Sequence, residues 1–354
     1  MQKLHWDRLC VLIVDDNSFM RNLLSTTVKA FGIMDVLTES DGASAIERLK
    51  LSLTDPIAAS MGTVDLILSD FVMPSVDGNL FLRWIRTGNG VPDRFVPFLM
   101  VSGAADKFVV EQSRDSGVTE FLAKPFSAQT VADRILQIIN YPRQFVLAPG
   151  YFGPDRRRGA LLVEEERRVT ERSQIQVVKP DSHERELRED VRAIYFRPNN
   201  RIRHKIGGKN FTEPLYFDPI IVQAAEKRIQ ALVGDYADWV RKYIISMTDS
   251  EAALSTDPEN RQSNRKHIAN INRIAHELRG QSGTFDYPLI TKLSKSLYEA
   301  TSDPDRQITN DRKKLIDAHI DAVRTVFKNR ITGDGGEIGL ALLHDIEVAV
   351  RKYH

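Results

Sequence analysis

The chain has 354 residues, of which 42% are hydrophobic and 27% charged, and its formal net charge is +1. That length exceeds one ordinary core and predicts two or three domains. The near-zero charge excludes a strong global field for nucleic acid or membrane. No apolar run approaches the roughly 18 residues of a membrane span. The mixed, charged start from Met1 to Asp7 does not read as a signal peptide, so the cytoplasm is the expected compartment. The single cysteine, Cys10, cannot form an internal disulfide and precedes an apolar run, so it reads as a small buried hydrophobe.

The first 140 or so residues alternate continuous apolar runs with helical patterns. The runs are Val11–Val14, a weaker one at Met34–Leu37, Leu66–Leu68, Phe98–Val101 and Phe121–Ala123. Continuous hydrophobicity suits parallel strands buried on both faces. Helices are predicted at about 18–31, 41–52, 77–88, 105–116 and 127–139. The expected fold of residues 1–141 is therefore an α/β doubly wound, five-stranded parallel sheet.

From 142 to 217 the pattern dissolves. Pro142, Pro149, Gly150, Gly153 and Pro154 break regular structure, and Asp155-Arg-Arg-Arg158 opens a charge-rich stretch reaching Asp190 that could be partly helical. Residues 196–209 carry five Lys or Arg and no acid. The segment, basic over 154–209, reads as a mildly basic, partly irregular linker, with ligand or partner docking as the sharper alternative. Arg156, Arg157 and Arg158 are one candidate site for an anionic ligand such as a nucleotide.

At Asp218-Pro219 an N-cap residue precedes a proline at the first helical position. Ile221, Ala225, Ile229, Leu232, Tyr236, Trp239 and Tyr243 then recur at helical spacing, which predicts one long amphipathic helix. Further helices are expected at about 260–281, 287–300, 309–329 and 336–352. Residues 218–354 thus read as an all-α bundle.

Polar residues stand at the ends of the predicted strands. Asp15 and Asp16 follow Val14, Asp70 follows Leu68-Ser69, Ser102 follows Val101, and Lys124 follows Ala123. The carboxyl edge of an open α/β sheet is where ligands bind. Crowded carboxylates repel one another and raise their own pKa values, and a hard divalent cation relieves this. Oxygen-only ligands point to Mg²⁺. The cation can hold a phosphoryl group against a carboxylate nucleophile. On this reading Asp70 attacks phosphorus, Lys124 pairs with one phosphate oxygen and Ser102 donates to another. The plainer alternative is that Asp15 or Asp16 merely caps the helix beginning near Asn17.

These residues resemble the receiver domain of two-component response regulators over nearly all of residues 8–140. The matching pieces are Val11-Leu-Ile-Val-Asp15-Asp16-Asn17, Asp70-Phe-Val-Met-Pro74 with Gly78, Ser102-Gly-Ala104, and Lys124-Pro125-Phe126. The resemblance implies that Asp70 is phosphorylated and that Asp16 ligates Mg²⁺. It further implies that Asp15 acts nearby or through water, with the Val72 backbone carbonyl as a third protein ligand. A cis Lys124–Pro125 bond and a Ser102/Phe121 switch pair are implied as well.

In the helix at 260–281, Ile268, Ile271, Ala275 and Leu278 form an apolar stripe. At about 100° per residue His276 lies roughly 120° from the stripe's centre, so it is expected to reach solvent. Neutral imidazole is a competent nucleophile toward phosphorus, and Arg279 is suited to bind the product phosphate. Ala275-His276-Glu-Leu-Arg279-Gly280-Gln-Ser-Gly283 resembles the histidine phosphotransfer (HPt) motif, in which lysine is commoner at the arginine position. The sequence departs from the family where a glycine ten residues after the histidine is replaced by Asp286, followed by Tyr287-Pro288. The other histidines, His5, His183, His204, His267, His319, His344 and His354, show no metal-ligand spacing and read as surface residues.

Together these resemblances imply a phosphorelay signalling protein rather than an enzyme with a turnover substrate. Its partners would be a sensor histidine kinase or HPt donor for Asp70 and another receiver domain for His276. The rival reading is a regulator whose helical domain is a binding module switched by Asp70. DNA binding is disfavoured because no C-terminal helix is markedly basic.

Overall fold

A computed structural model of the protein describes residues 4–55, 63–103, 107–156, 175–178 and 193–353. Ala104, Arg157, Arg158, His183, His354 and most of the charge-rich stretch to Asp190 lie outside the described residues. The chain divides into two compact units between Ile229 and Gln230, with Ala123–Phe126 grouped with the second.

The first unit opens with five strands and five helices in alternation. The strands are β1 (Cys10–Val14), β2 (Asp35–Glu39), β3 (Leu66–Asp70), β4 (Phe98–Ser102) and β5 (Glu120–Ala123). Between and after them run α1 (Ser18–Ala30), α2 (Gly42–Thr54), α3 (Gly78–Thr87), α4 (Lys107–Asp115) and α5 (Ala128–Asn140). Sheet order is β2-β1-β3-β4-β5, with β1 parallel to β2 and β3, and β3 parallel to β4. Strands β1, β3 and β4 are buried at every residue, which is why their sequences run apolar without alternation. The helices begin where short polar side chains take up free N–H groups. Asn17, Asp41, Asp77 and Ser127 cap α1, α2, α3 and α5. Asn17 therefore does the capping that had been an alternative role for Asp15 or Asp16.

The described residues between 142 and 217 carry regular structure where the sequence suggested a partly irregular linker. A second sheet, ordered β7-β6-β9-β8, is built from β6 (Phe145–Ala148), β7 (Tyr151–Pro154), β8 (Ile175–Val178) and β9 (Ala193–Phe196). Strand β6 is antiparallel to β7 and β9, and β8 is parallel to β9. Ala148 pairs with Tyr151, so Pro149-Gly150 is a two-residue turn with Gly150 at φ 74°. The proline and glycine that looked like breakers are the turn itself. A helix α6 (Arg201–Gly207) follows, capped by Asn200.

Aromatic and charged contacts fasten this sheet to the first. Phe95, just before β4, packs at 5.0 Å from Phe145, 5.4 Å from Phe152 and 6.0 Å from Phe196. Arg86 of α3 is fully buried. It lies over the Phe145 ring and donates to the carbonyls of Gly117 (3.0 Å), Arg94 (2.7 Å) and Val96 (3.0 Å). Burial lowers its pKa to about 10, which still leaves it charged at neutral pH. The buried Asp65 carboxylate accepts from the Cys10 N–H at 3.0 Å and from Lys205 of α6 at 2.7 Å. Cys10 is buried as expected, and its thiol pKa is pushed up to about 12 by that burial and by Asp35. It is an inert core residue.

The long helix expected from 218 is two helices, α7 (Pro219–Ala231) and α8 (Val233–Ala252), meeting at Leu232. β-Branched Val233 and Gly234 follow the junction, and both weaken helix continuity. The division also assigns most of α7 to the first unit rather than to the helical domain. There Val222, Ala225 and Ile229 are buried, while Ile221 faces out. The Glu226 carboxylate accepts the Ala128 N–H at 2.7 Å, closing the first turn of α5.

The second unit is helical: α8, α9 (Arg261–Gln281), α10 (Pro288–Ala300), α11 (Asn310–Lys328) and α12 (Gly336–Tyr353). Helices α8 to α11 close in a ring, α8 against α9, α9 against α10, α10 against α11, and α11 back against α8; α12 packs on α10 and α11. Buried Tyr236 stacks on Phe285 at 4.1 Å and donates to Ser282 Oγ at 2.7 Å. His319 is no surface residue: it is 0% exposed on the apolar stripe of α11, with Leu315, Ile316, Ile320 and Val323. Its Nδ1 lies 2.7 Å from the Leu315 carbonyl and its Nε2 2.8 Å from Ser296 Oγ. A carbonyl only accepts, so the proton sits on Nδ1. His5 and His267 are partly buried, and His204 and His344 are exposed. Among the described residues no helix is long and apolar enough to cross a membrane.

Replacing Arg86 with Leu removes donors from three buried carbonyls and leaves them dry. The expected loss is about 3 kcal/mol, read as a lower urea midpoint for the first unit. An unchanged midpoint would mean that the guanidinium contributes nothing net.

Candidate functional site

The carboxyl edge of the parallel sheet gathers the acids. Asp15 and Asp16 follow β1 directly, and Asp70 is the last residue of β3. One carboxylate oxygen from each lies within 4.8 Å of the other two. Asp15 is 1% and Asp70 3% exposed, while Asp16 is half-buried. Asp15 is oriented from two sides. Its carboxylate accepts the Asn17 N–H at 2.9 Å, and its carbonyl accepts from Arg21 of α1 at 2.6 Å. Arg21 was missed in the sequence, although it stands one turn beyond the Asn17 cap, within reach of the edge.

Gly78 explains its place in the motif. A Cβ there would come 2.0 Å from the Asp70 carbonyl oxygen, so only glycine lets α3 start this close to the Asp70 backbone. The Gly78 N–H donates to the Phe71 carbonyl at 3.0 Å, folding the β3–α3 connection back on itself. Val72 lies in that connection, two residues beyond Asp70.

Ser102 ends β4 and is fully buried. Lys124 is the first residue after β5; it is buried, and its peptide bond to Pro125 is cis. Phe121, within β5, is partly buried. Each residue singled out in the sequence for this region thus sits at or just beyond a strand's carboxyl end, or in β5 itself. The donor set at the centre is oxygen only, which suits Mg²⁺ and not a soft metal.

In the second unit His276 stands on α9, but it does not reach solvent as expected. It is 7% exposed, and every residue from Ile274 to Gln281 is buried. The helical wheel accounted for one packed face only. In the fold the Tyr298 ring of α10 lies 5.5 Å from the imidazole, and the Arg279 guanidinium sits over that same ring at 4.9 Å. Buried His276 Nδ1 and Arg279 Nε have no hydrogen-bond partner within the protein. Asp286 takes the left-handed conformation, φ 64°, at the end of a short 3₁₀ turn (Ser282–Phe285). Aspartate is among the few non-glycine residues that tolerate it. Asp286 therefore serves the chain reversal into α10 in the place of a glycine.

Burial, reinforced by Arg279, holds the His276 pKa down at about 3. In the unfolded chain an imidazole titrates near 6.5. Above that value both states are neutral and pH has no leverage. Between the two values the unfolded state takes a proton that the folded state refuses, so stability falls as pH drops from about 6.5. The expected result is that wild type loses more stability than His276→Gln between pH 7.5 and pH 5, in urea titrations of both. Equal losses would mean that the folded imidazole is as basic as a free one.

The comparisons bear on the first unit. Residues 11–136 match the response regulator receiver domain family. Chemotaxis protein CheY of Pseudomonas aeruginosa is 28% identical over 128 residues, covering 36% of this chain and 94% of that protein. Chemotaxis protein CheY-3 of Vibrio cholerae is 27% identical over 128 residues, covering 36% of this chain and 89% of its own. Among solved structures is the receiver domain of a sensor histidine kinase from Pseudomonas aeruginosa, with magnesium coordinated in its active site cleft. It is 28% identical, covers 36% of this chain and 94% of that one, and has a TM-score of 0.30. The family match takes in β1 from its second residue, β2 to β5 whole, α5 as far as residue 136 and every acid of the cluster. Residues 11–136 are a response regulator receiver domain, the receiving module of two-component signalling.

Proposed function

We propose that this chain is a phosphorelay protein in which Asp70 accepts phosphate with Mg²⁺ and His276 relays phosphate in the helical unit. The observation that carries the reading is the acidic triad: three carboxylate oxygens within 4.8 Å of one another on a parallel sheet's carboxyl edge. Asp15, Asp16 and Asp70 would hold the ion, with the Val72 carbonyl as a further oxygen ligand. Bound there, Mg²⁺ supplies positive charge against the carboxylates and the phosphoryl oxygens. Asp70 attacks phosphorus as the donor's bond to phosphorus breaks, giving an acyl phosphate. Ser102 donates to one phosphoryl oxygen, and the Lys124 ammonium pairs with another. Ser102 and Phe121 form the switch pair that responds to the new charge.

For the second step, a neutral imidazole at physiological pH is what a nucleophile toward phosphorus requires, and the low pKa of His276 provides it. The unsatisfied Arg279 Nε–H, three residues along α9, gains an acceptor when a phosphoryl group is attached to His276. The donor for Asp70 is a sensor histidine kinase or a phosphotransfer protein, and the exchange partner of His276 is another receiver. Phosphoryl transfer is the only chemistry assigned, so the protein turns over no substrate of its own.

A second reading is favoured by one observation, the 7% exposure of His276. On that reading the helical unit is a binding module switched by Asp70, without phosphotransfer. The two separate by phosphate mapping with acetyl phosphate and Mg²⁺, and again with a phosphorylated relay partner. Wild type, Asp70→Ala and His276→Ala are compared. The relay reading expects Mg²⁺-dependent label on Asp70, abolished by EDTA and by Asp70→Ala, and label on His276 in the partner reaction. Label on Asp70 alone leaves the binding module. No label on Asp70 under any condition sinks both.

A further inference from the structure

Tyr298 belongs to α10, beyond the Ala275–Gly283 residues quoted for the phosphotransfer motif, and it is the aromatic group against His276. Its ring centroid is 5.5 Å from that of the imidazole, tilted by 53°. The guanidinium carbon of Arg279 lies over the same ring at 4.9 Å, within the range in which a cation is attracted to a ring face. One partly buried ring therefore touches both groups that the relay reading puts to work. Its position is fixed one turn before the histidine: Asn272 of α9 donates to the Tyr298 carbonyl at 2.8 Å and to Thr301 Oγ1 at 3.0 Å. This contact sets the register of α10 against α9 at the level of His276.

We infer that Tyr298 is a positioning residue for phosphotransfer through His276, holding Arg279 by its ring face where the guanidinium meets the phosphoryl group. The inference rests on the relay reading and extends it to a residue on a second helix. The physical reason lies in Arg279's buried state. Its Nε–H has no partner within the protein, so no hydrogen bond through that atom fixes the guanidinium's direction before phosphate arrives. Its direction is then set by packing and by the ring face rather than by that bond, and a guanidinium aimed elsewhere slows transfer. Stacking on a fixed ring selects the rotamer in advance. Tyr298 itself forms and breaks no bond to phosphorus.

The test uses the full chain with phosphoramidate, a donor small enough to reach a nearly buried imidazole. In this reaction the donor's P–N bond breaks, ammonia leaves, and a new P–N bond forms to the ring. Phosphate on His276 is followed over time by mass spectrometry in wild type, Tyr298→Phe, Tyr298→Leu, Arg279→Gln and the Leu/Gln double variant. The expected result is a rate roughly tenfold lower in Tyr298→Leu and within about twofold of wild type in Tyr298→Phe, since the ring face remains. In the Arg279→Gln background, Tyr298→Leu should cost nothing further, because the ring acts through the arginine. Unchanged transfer in Tyr298→Leu overturns the inference. So does a Tyr298→Phe rate as low as that of Tyr298→Leu, or an additive loss in the double variant. Absence of phosphohistidine from wild type overturns the relay reading and this inference with it, and is distinguishable because the variants then have no baseline to fall from.

Discussion

Three carboxylates converging at the end of a parallel sheet are the constraint around which the first unit is arranged. Two unit charges about 4 Å apart repel by roughly 4 kcal/mol at an effective dielectric of 20, and Asp15 and Asp70 are both buried. A fold that brings such groups together does so against their own electrostatics. The compensation visible in the chain is local and polar. The Asn17 N–H and the Arg21 guanidinium both donate to Asp15, and Asn17 frees the acids from capping duty by taking the N-terminus of α1 itself. Gly78 lets α3 start against the Asp70 carbonyl, where any side chain would collide. On the proposed reading, a bound cation would offset the carboxylate charge further.

The far end of the sheet shows the opposite strategy. There a fully buried arginine is surrounded by carbonyls, and a fully buried aspartate is met by a lysine. Arg86 and Asp65 tie loops, α6 and the second sheet to the receiver core, so the described residues between 142 and 217 extend the receiver rather than merely follow it. At one edge of the parallel sheet protein groups meet the buried charges, and the other gathers three acids. That asymmetry, more than any single residue, marks where the chemistry belongs.

Much of this was legible in the sequence, for reasons that differ by element. Strands β1, β3 and β4 are buried on both faces, so their runs are apolar without interruption, and acids placed after such runs fall on the carboxyl edge by construction. Helices α9 to α12 follow their apolar spacing to within about two residues. The four strands of the second sheet were invisible because each is four residues long, and a turn such as Pro149-Gly150 looks the same as a loop in one dimension. His319 could have been read: it lies four residues after Leu315 and three after Ile316, on the stripe, and only its polarity argued otherwise. The junction at Leu232 is harder, because the apolar spacing runs through it unbroken and only Val233 and Gly234 hint at a stop.

His276 failed for a more instructive reason. A helical wheel locates the face a helix must bury, but it cannot say that the opposite face stays open. Around His276 both faces are covered, and the two demands on a phosphate-accepting histidine then pull apart. Burial keeps the imidazole neutral far below physiological pH, which nucleophilic attack requires. The same burial limits the approach of a donor, which attack also requires. Arg279 sharpens the contrast, since its buried Nε–H waits without an acceptor beside a ring that attracts its charge. A dry N–H costs on the order of 1–3 kcal/mol. On the proposed relay reading, a phosphoryl group on His276 would supply an acceptor for that N–H, which the bare histidine does not.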